Sequence, residues 1–201
     1  MLTLKSYAEG EWFEGRGKRA EILHAVTGDK FAEASSEGLD FGGMLSYGRR
    51  TGGAKLRSMT FHDRAIMLKE LAKYLMERKE EFYKLSVATG ATRNDSWIDI
   101  EGGIGTFFVY SGKGRRELPN EPFFVEGEAE SLSKSGSFIG RHICVPLEGT
   151  AVHINAFNFP CWGMLEKLAP TFLAGMPATV SYTHLRAHET KANLVCRLLL
   201  E

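Results

Sequence analysis

The apolar residues between Thr60 and Gly90 recur at steps of three, four or seven positions, which places them on one face of an α-helix. They are Ala65, Leu68, Ala72, Leu75, Phe82 and Leu85. Thr60 precedes the first turn and Asp63 follows three residues later, which resembles a capping box with the shorter acid. The pattern therefore predicts an amphipathic helix that begins after Thr60 and ends near Gly90.

The rest of the N-terminal half carries weaker signals. A second helix is predicted from Asp95 onward, although three glycines in its middle lower the helix propensity: Gly102, Gly103 and Gly105. The segment GEWFEG predicts a short hairpin, since Trp12 and Phe13 favour strands and glycines flank them. The segment GGMLSYGRRTGGAK contains too many glycines to predict a helix.

The C-terminal half alternates between strand and helix patterns. Phe138, Ile143 and Val145 indicate strands, and after the turn PLEGT the apolar residues Val152 and Ile154 alternate with polar ones. An apolar helical run follows, CWGMLEKLAPTFLAG. A proline inside this run predicts a kink at position 170, and a glycine at position 175 is a plausible helix terminator. The elements together indicate an α/β domain.

Composition narrows the possible functions. The chain has 201 residues, of which 43% are hydrophobic, and 25 basic residues balance 25 acidic ones. The chain has no excess of basic residues that would indicate a nucleic acid or an anionic membrane surface as partner. No stretch of about 18 apolar residues predicts a membrane span, and the first residues do not resemble a signal peptide. Three irregularly spaced cysteines indicate neither a disulfide framework nor a zinc ribbon, so a reducing cytoplasm is expected.

Two residues at the start of the last helix are candidates for chemistry. Asn158 could serve only to begin the helix with Pro160 in its first turn, or its amide could donate a hydrogen bond to a developing oxyanion. Cys161 could be a nucleophile, because the first turn of a helix lowers the pKa of a thiol. Its apolar neighbours favour a buried, inert cysteine instead. Cys144, on a predicted strand, is also expected in the core.

Three further motifs are weak. GGIGTF resembles part of a dinucleotide fingerprint but follows no apolar strand, and SGKGRR lacks the spacing of a phosphate-binding loop. His184 and His188 could share a helix face toward a metal, but no third ligand is suitably spaced. No metal site is therefore predicted.

The segment PLEGTAVHINAFNFP, followed by LAPTFLAG, resembles the aldehyde dehydrogenase superfamily in order and register. GEWFEG and the segment HDRAIMLKELAKYLMERKEEF resemble its N-terminal strand and the paired helices that open its cofactor domain. The likeness covers about residues 3–179. Within the superfamily, the segment HINAFNFPCWGMLEKLAPTFLAGMPA is most similar to the dehydrogenase domains of bifunctional ring-opening proteins of phenylacetate degradation, which handle a coenzyme A-linked aldehyde.

The resemblance implies a mechanism and a site. In this family a cysteine thiolate attacks the aldehyde, and the asparagine at the position of Asn158 stabilises the resulting oxyanion with a backbone amide. Hydride passes to NADP or NAD, and a glutamate activates the water that releases the acid. The strand end that matches Ile154, Asn155, Ala156 and Phe157 lies along the nicotinamide side of the cofactor, partly through backbone contacts.

The sequence also departs from the family pattern. The family continues after GMPA with a strand that ends in Lys-Pro, and later with Glu-Leu-Gly-Gly-like and Gly-Gln-x-Cys-like segments that carry the base and the nucleophile. None of these occurs here. Residues 180–201 resemble the translation of a sequencing adapter and are predicted to be a non-native tail; a divergent C-terminal helix is the alternative.

These observations predict an incomplete N-terminal part of the aldehyde dehydrogenase fold in residues 1–179, with the start of a Rossmann-like cofactor domain and the strands of an oligomerisation hairpin. The whole enzyme is expected to be a cytoplasmic homo-oligomer that oxidises an aldehyde, and this chain alone to be inactive. Two alternatives remain. A short non-catalytic module could bind a dinucleotide weakly or pair with a full-length subunit, and a thiol enzyme could use Cys161.

Overall fold

The computed structural model describes residues 2–156 and 158–182. The N-terminal part forms small sheets from five strands: β1 Leu2–Leu4, β2 Ser6–Ala8, β3 Glu11–Phe13, β4 Ala20–Leu23 and β5 Lys30–Ala34. Strands β2 and β3 form the predicted hairpin, in which Trp12 pairs with Tyr7 and Gly10 takes a left-handed conformation at the turn. Strand β5 lies between β1 and β4, parallel to the first and antiparallel to the second. The sequence pattern did not predict this three-stranded sheet.

The glycine-rich segment after β5, for which the sequence did not predict a helix, is helical. Helix α1 spans Phe41–Tyr47, a π-helical stretch spans Gly48–Gly53, and α2 spans Ala54–Arg57. The glycines allow close packing: a Cβ on Gly48 would lie 2.5 Å from the Thr150 hydroxyl, and one on Gly52 would lie 3.1 Å from Pro177. Contacts with residues a hundred positions away thus offset the low helix propensity of glycine.

The helix predicted after Thr60 is confirmed, with one break. Helix α3 spans Phe61–Glu77 and α4 spans Lys79–Ser86. Thr60 and Asp63 form a complete capping box at the start of α3. A single 3-10 turn follows α4, and Gly90 ends it in the left-handed conformation at φ +77°.

The second predicted helix is confirmed and begins slightly earlier than expected. Helix α5 spans Arg93–Trp97, with a capping box of its own at Thr92. It continues through a π-helical stretch, Ile98–Gly102, into α6, which spans Gly103–Glu117. The three glycines do not interrupt the helix. Gly102 and Gly103 lie where the helix that begins at Pro160 crosses it closely.

The C-terminal half contains β6 Phe124–Ser131, β7 Ile139–Cys144, β8 Ala151–Asn155, α7 Pro160–Leu173 and β9 Ala178–Tyr182. Strands β6 and β7 form an antiparallel hairpin, whereas β8 and β9 pair in parallel on either side of α7 in the sequence. Helix α7 continues through Pro170, and Gly175 follows it at φ +82° with Schellman-type hydrogen bonds. The proposed boundary at residue 180 falls inside β9 and stays a prediction.

The main core lies where α3, α6 and α7 pack together. Its fully buried side chains include Ala65, Leu68, Leu75, Ile104, Phe107, Leu165 and Ala169. A parallel β–α–β unit, β8–α7–β9, thus stands against a helical layer, in agreement with the α/β prediction. Within the described residues, no helix is both long and apolar enough to cross a membrane.

Candidate functional site

The candidate site is the corner between β8 and α7. Strand β8 ends at Asn155, and α7 begins with Pro160 in its first position, where the missing N–H of proline costs no hydrogen bond. The N-cap position is Phe159, so Asn158 lies one residue before the N-cap. Both Asn158 and Phe159 are exposed. Phe157, one of the predicted cofactor contacts, lies outside the described residues.

Side chains alternate between the two faces of β8, as the apolar pattern predicted, but the apolar set faces outward. Val152 and Ile154 are exposed, whereas His153 and Asn155 are buried against α7. Ala156 continues the exposed set. Three of the predicted site residues therefore lie open at the end of the strand: Ile154, Ala156 and Asn158. Asn155 faces the other way, so a contact from it to a ligand on the open side would involve its backbone.

The position of the corner in the sheet favours ligand binding. Strands β8 and β9 are parallel, with in-register pairs from Ala151 with Ala178 to Asn155 with Tyr182, so both carboxyl ends lie at the same edge. In parallel α/β sheets ligands bind outside the carboxyl ends of the strands. The first turn of α7 adds the positive end of the helix dipole at this edge.

The buried side of β8 is polar. The His153 Nε2 lies 3.1 Å from the Thr171 hydroxyl, which is on α7. Burial, together with the nearby Lys167 ammonium, lowers the pKa of His153. Lys167 itself donates to the carbonyl oxygen of Gly163. His153 is therefore an uncharged packing group behind the corner, and a role in proton transfer on the open side has no geometric support.

The two described cysteines occupy opposite environments. Cys161 is buried, with 2% of its surface exposed, and packs in the core with Met164 and Leu165. This agrees with the inert interpretation and opposes Cys161 as a nucleophile. Cys144 is exposed on β7, so the expectation that it lies in the core is wrong. Its strand belongs to a hairpin whose residues are almost all exposed, and alternation alone does not reveal which strand faces are covered.

The remaining motifs do not form sites in the described part of the chain. The segments GGIGTF and SGKGRR both lie within the continuous helical stretch that leads through α6, so neither forms a phosphate-binding loop. His184 and His188 lie outside the described residues. Among the residues 2–156 and 158–182, no group of three or more His, Cys, Asp or Glu side chains is arranged to hold a metal ion.

One residue at the corner was missed by the sequence analysis. The Asp99 carboxylate, from the π-helical stretch before α6, accepts a hydrogen bond of 2.9 Å from the backbone N–H of Trp162 in the first turn of α7. Asp99 is 3% exposed. An acid in a helix is usually solvent-exposed, so its sequence context carried no signal beyond the two glycines that follow it.

The sequence profile of the aldehyde dehydrogenase family matches residues 12–181 of the chain. The chain is 39% identical over 177 residues to a 3,4-dehydroadipyl-CoA semialdehyde dehydrogenase of Aromatoleum evansii. That alignment covers 88% of this chain and 34% of the relative, so the chain spans about a third of the length of the relative it matches.

Solved structures agree on the fold. An NAD-dependent benzaldehyde dehydrogenase from Corynebacterium glutamicum superimposes with a TM-score of 0.79 at 14% identity, over 98% of this chain and 40% of that chain. A betaine aldehyde dehydrogenase variant from Staphylococcus aureus, in complex with NAD+, superimposes with a TM-score of 0.71 at 16% identity, over 99% and 38%. The predicted fold class, an N-terminal part of the aldehyde dehydrogenase fold, is thereby confirmed. With a family match over residues 12–181 and this fold, the chain belongs to the aldehyde dehydrogenase family.

Proposed function

We propose that this chain contributes the first part of an aldehyde dehydrogenase that uses a nicotinamide dinucleotide, and that Asn158 stabilises the oxyanion of the reaction. The observation that carries the proposal is the exposed Asn158 at the carboxyl edge of two parallel strands, directly ahead of the N-terminus of α7. A preorganised amide donor at such an edge acts where negative charge develops in the transition state.

The cofactor is proposed to lie along the open face at the end of β8. The exposed apolar side chains of Ile154 and Ala156 suit a flat aromatic ring. Asn155 would contribute through its backbone, because its side chain is buried on the opposite face. Phe157 completes the proposed set. NAD or NADP, when bound, supplies the hydride acceptor.

A coenzyme A-linked semialdehyde of phenylacetate catabolism is the proposed substrate. The support is the 39% identity with a relative that is named for such a substrate. The sequence contains neither a Gly-Gln-x-Cys nor a Glu-Leu-Gly-Gly segment, so we propose that the 201-residue chain by itself does not turn over aldehydes. The cytoplasm remains the proposed location, on the basis of few and irregularly spaced cysteines.

The β6–β7 hairpin is proposed to serve as an oligomerisation arm of the whole enzyme. It and its flanking residues expose several large apolar side chains: Leu132, Phe138, Ile139, Ile143, Val145 and Leu147. A row of exposed apolar residues on a two-stranded hairpin is typical of a surface that another chain covers. The predicted homo-oligomer supplies a second copy of this arm.

The decisive experiment begins with the source DNA, sequenced from the codon for Gly175 onward. We expect the frame to continue into a Lys-Pro strand and a Gly-Gln-x-Cys segment. The longer product is then assayed by reduction of NAD and NADP with a coenzyme A-linked semialdehyde. Replacement Asn158→Ala is expected to lower kcat about 100- to 1000-fold.

The matched control is Asn94→Ala, the same truncation at an exposed position on α5 that should leave kcat unchanged. A kcat for Asn158→Ala within about twofold of the unmodified enzyme would refute the oxyanion role. If sequencing confirms a stop after Glu201, the proposal of a longer enzyme fails. The short module then becomes testable by co-purification with a full-length dehydrogenase.

A further inference from the structure

The first turn of α7 is held by residues more than fifty positions upstream. The N-cap residue of α7, Phe159, makes no side-chain capping hydrogen bond. The Trp162 N–H instead donates to the Asp99 Oδ1 at 2.9 Å, across 63 residues of sequence. Since the first N–H groups of a helix have no partner inside it, an external carboxylate satisfies one of them and interacts favourably with the helix dipole. Asp99 is thus a capping residue supplied by another helix.

The geometry around Asp99 is built for this contact. Asp99 lies in the π-helical stretch Ile98–Gly102, and wide turns of this kind are frequent at functional sites. Gly102 and Gly103 lie three and four residues after Asp99. A Cβ on Gly102 would lie 2.3 Å from the Trp162 ring, and one on Gly103 would lie 2.9 Å from the Trp162 backbone nitrogen and Cα. Only glycine at both positions lets the two helices approach closely enough to bring the carboxylate to the N–H.

The same contacts leave little freedom between Trp162 and the corner. Pro160 and Cys161 are buried, so the two residues that join Trp162 to the exposed Asn158–Phe159 pair are packed in the core. The Trp162 indole N–H also donates to Glu166 at 2.8 Å, which fixes its ring along α7. A change in the position of Trp162 would therefore move the corner.

We propose that Asp99 is a positioning residue, which fixes the first turn of α7 and thereby the orientation of Asn158. Its importance for catalysis rests on the proposed function of Asn158, whereas the positioning itself does not. Loss of the carboxylate should release the first turn of α7 while the rest of the three-helix core stays folded, because Asp99 is not one of the apolar side chains that form that core.

The positioning is tested on the 201-residue chain by hydrogen–deuterium exchange of the segment 158–164. Asp99→Ala is expected to raise exchange there about 10- to 100-fold, the worth of a hydrogen bond to a charged group. Asp99→Asn keeps an acceptor oxygen without the charge, so it should restore part of the protection. Thr60→Ala is the matched control: it removes the cap of α3 and lowers stability without touching α7.

Protection of the segment 158–164 in Asp99→Ala equal to that in Thr60→Ala would overturn the positioning role. So would a uniform rise in exchange across the whole chain, since that is the result of global destabilisation alone. A rise confined to 158–164, with partial recovery in Asp99→Asn, would support it.

The connection to catalysis is tested in the longer enzyme by a double-mutant cycle with Asn158→Ala. If Asp99 acts through Asn158, Asp99→Ala lowers kcat, and the double variant is no slower than Asn158→Ala alone. Additive losses would overturn the connection. An Asn158→Ala variant with normal kcat would refute the oxyanion role and with it the catalytic part of this inference, while the exchange result would still decide whether Asp99 positions the corner.

Discussion

Two glycines of one helical stretch should respond to the same substitution with opposite signs. Gly103 and Gly105 lie two positions apart in α6. An ideal Cβ on Gly103 would lie 2.9 Å from the backbone nitrogen and Cα of Trp162 and 3.1 Å from the carbonyl carbon of Cys161, whereas one on Gly105 meets nothing within 4 Å. The contacts of Gly103 are with backbone, which cannot rotate away, so a methyl group there must push α6 and α7 apart.

The magnitudes follow from these contacts. Gly→Ala in a helix gains about 0.5–1 kcal/mol through propensity, and this includes the loss of freedom in the unfolded chain. For Gly105→Ala nothing opposes that gain. For Gly103→Ala the overpacking cost is about 3 kcal/mol, at the upper end of the usual range because the neighbour is rigid. The two variants should therefore differ by about 3 kcal/mol in the free energy of unfolding, with Gly103→Ala about 2 kcal/mol below the unmodified chain.

Urea denaturation followed by circular dichroism measures this difference. With a slope of about 2 kcal/mol per M, the midpoints of the two variants should lie about 1.5 M apart. Because the two substitutions remove the same glycine freedom from the unfolded state, that contribution cancels in the comparison. A midpoint for Gly103→Ala equal to or above that for Gly105→Ala would refute the close crossing of α6 and α7, and with it the geometry on which the Asp99 contact depends.

Three further expectations concern single side chains. Iodoacetamide at neutral pH should alkylate the exposed Cys144 and spare the buried Cys161 in the folded chain, as measured by peptide mass spectrometry; equal labelling would contradict the burial. Burial and a hydrogen bond to a carboxylate raise the pKa of Tyr83 to about 12. In a pH titration, the phenolate absorbance that is lost in Tyr83→Phe should therefore appear well above pH ~10. A step in that absorbance at pH ~10 would be inconsistent with this environment. Burial lowers the pKa of His153 in the folded state. As the pH falls through about 6.5, the unfolded state therefore binds a proton at His153 more readily than the folded state does. Stability to urea should therefore fall on acidification more steeply in the unmodified chain than in His153→Gln, and parallel curves would argue against a buried neutral imidazole.

The sequence was sufficient to predict elements whose terminal backbone groups are capped by their own residues and whose apolar residues lie on one face. Helix α3 is the clearest case: its capping box and its apolar stripe lie within the segment itself, and both are present in the structure. The corner before α7 could also be predicted, because a strand pattern, an asparagine and a proline in the first helical turn follow each other directly. The family resemblance rested on these same local features.

Other features depended on residues far away in the sequence. The glycines between Gly48 and Gly53 appeared to oppose a helix, since low propensity is a local property and the packing of Gly48 against Thr150 is not. Cys144 was expected in the core because it lies on a strand, but alternation indicates two faces without telling which is covered.

The amino-acid sequence by itself determined the helices with caps of their own, the strand–turn–helix corner of Asn158 and the family to which the chain belongs. Only the tertiary structure decided which face of β8 is open, that Cys144 is exposed, and that Asp99 caps a helix 63 residues away. The physical reason is the range of the interactions. Propensity and capping act within a few residues, whereas burial and a cap from another helix exist only once α6 and α7 have packed together.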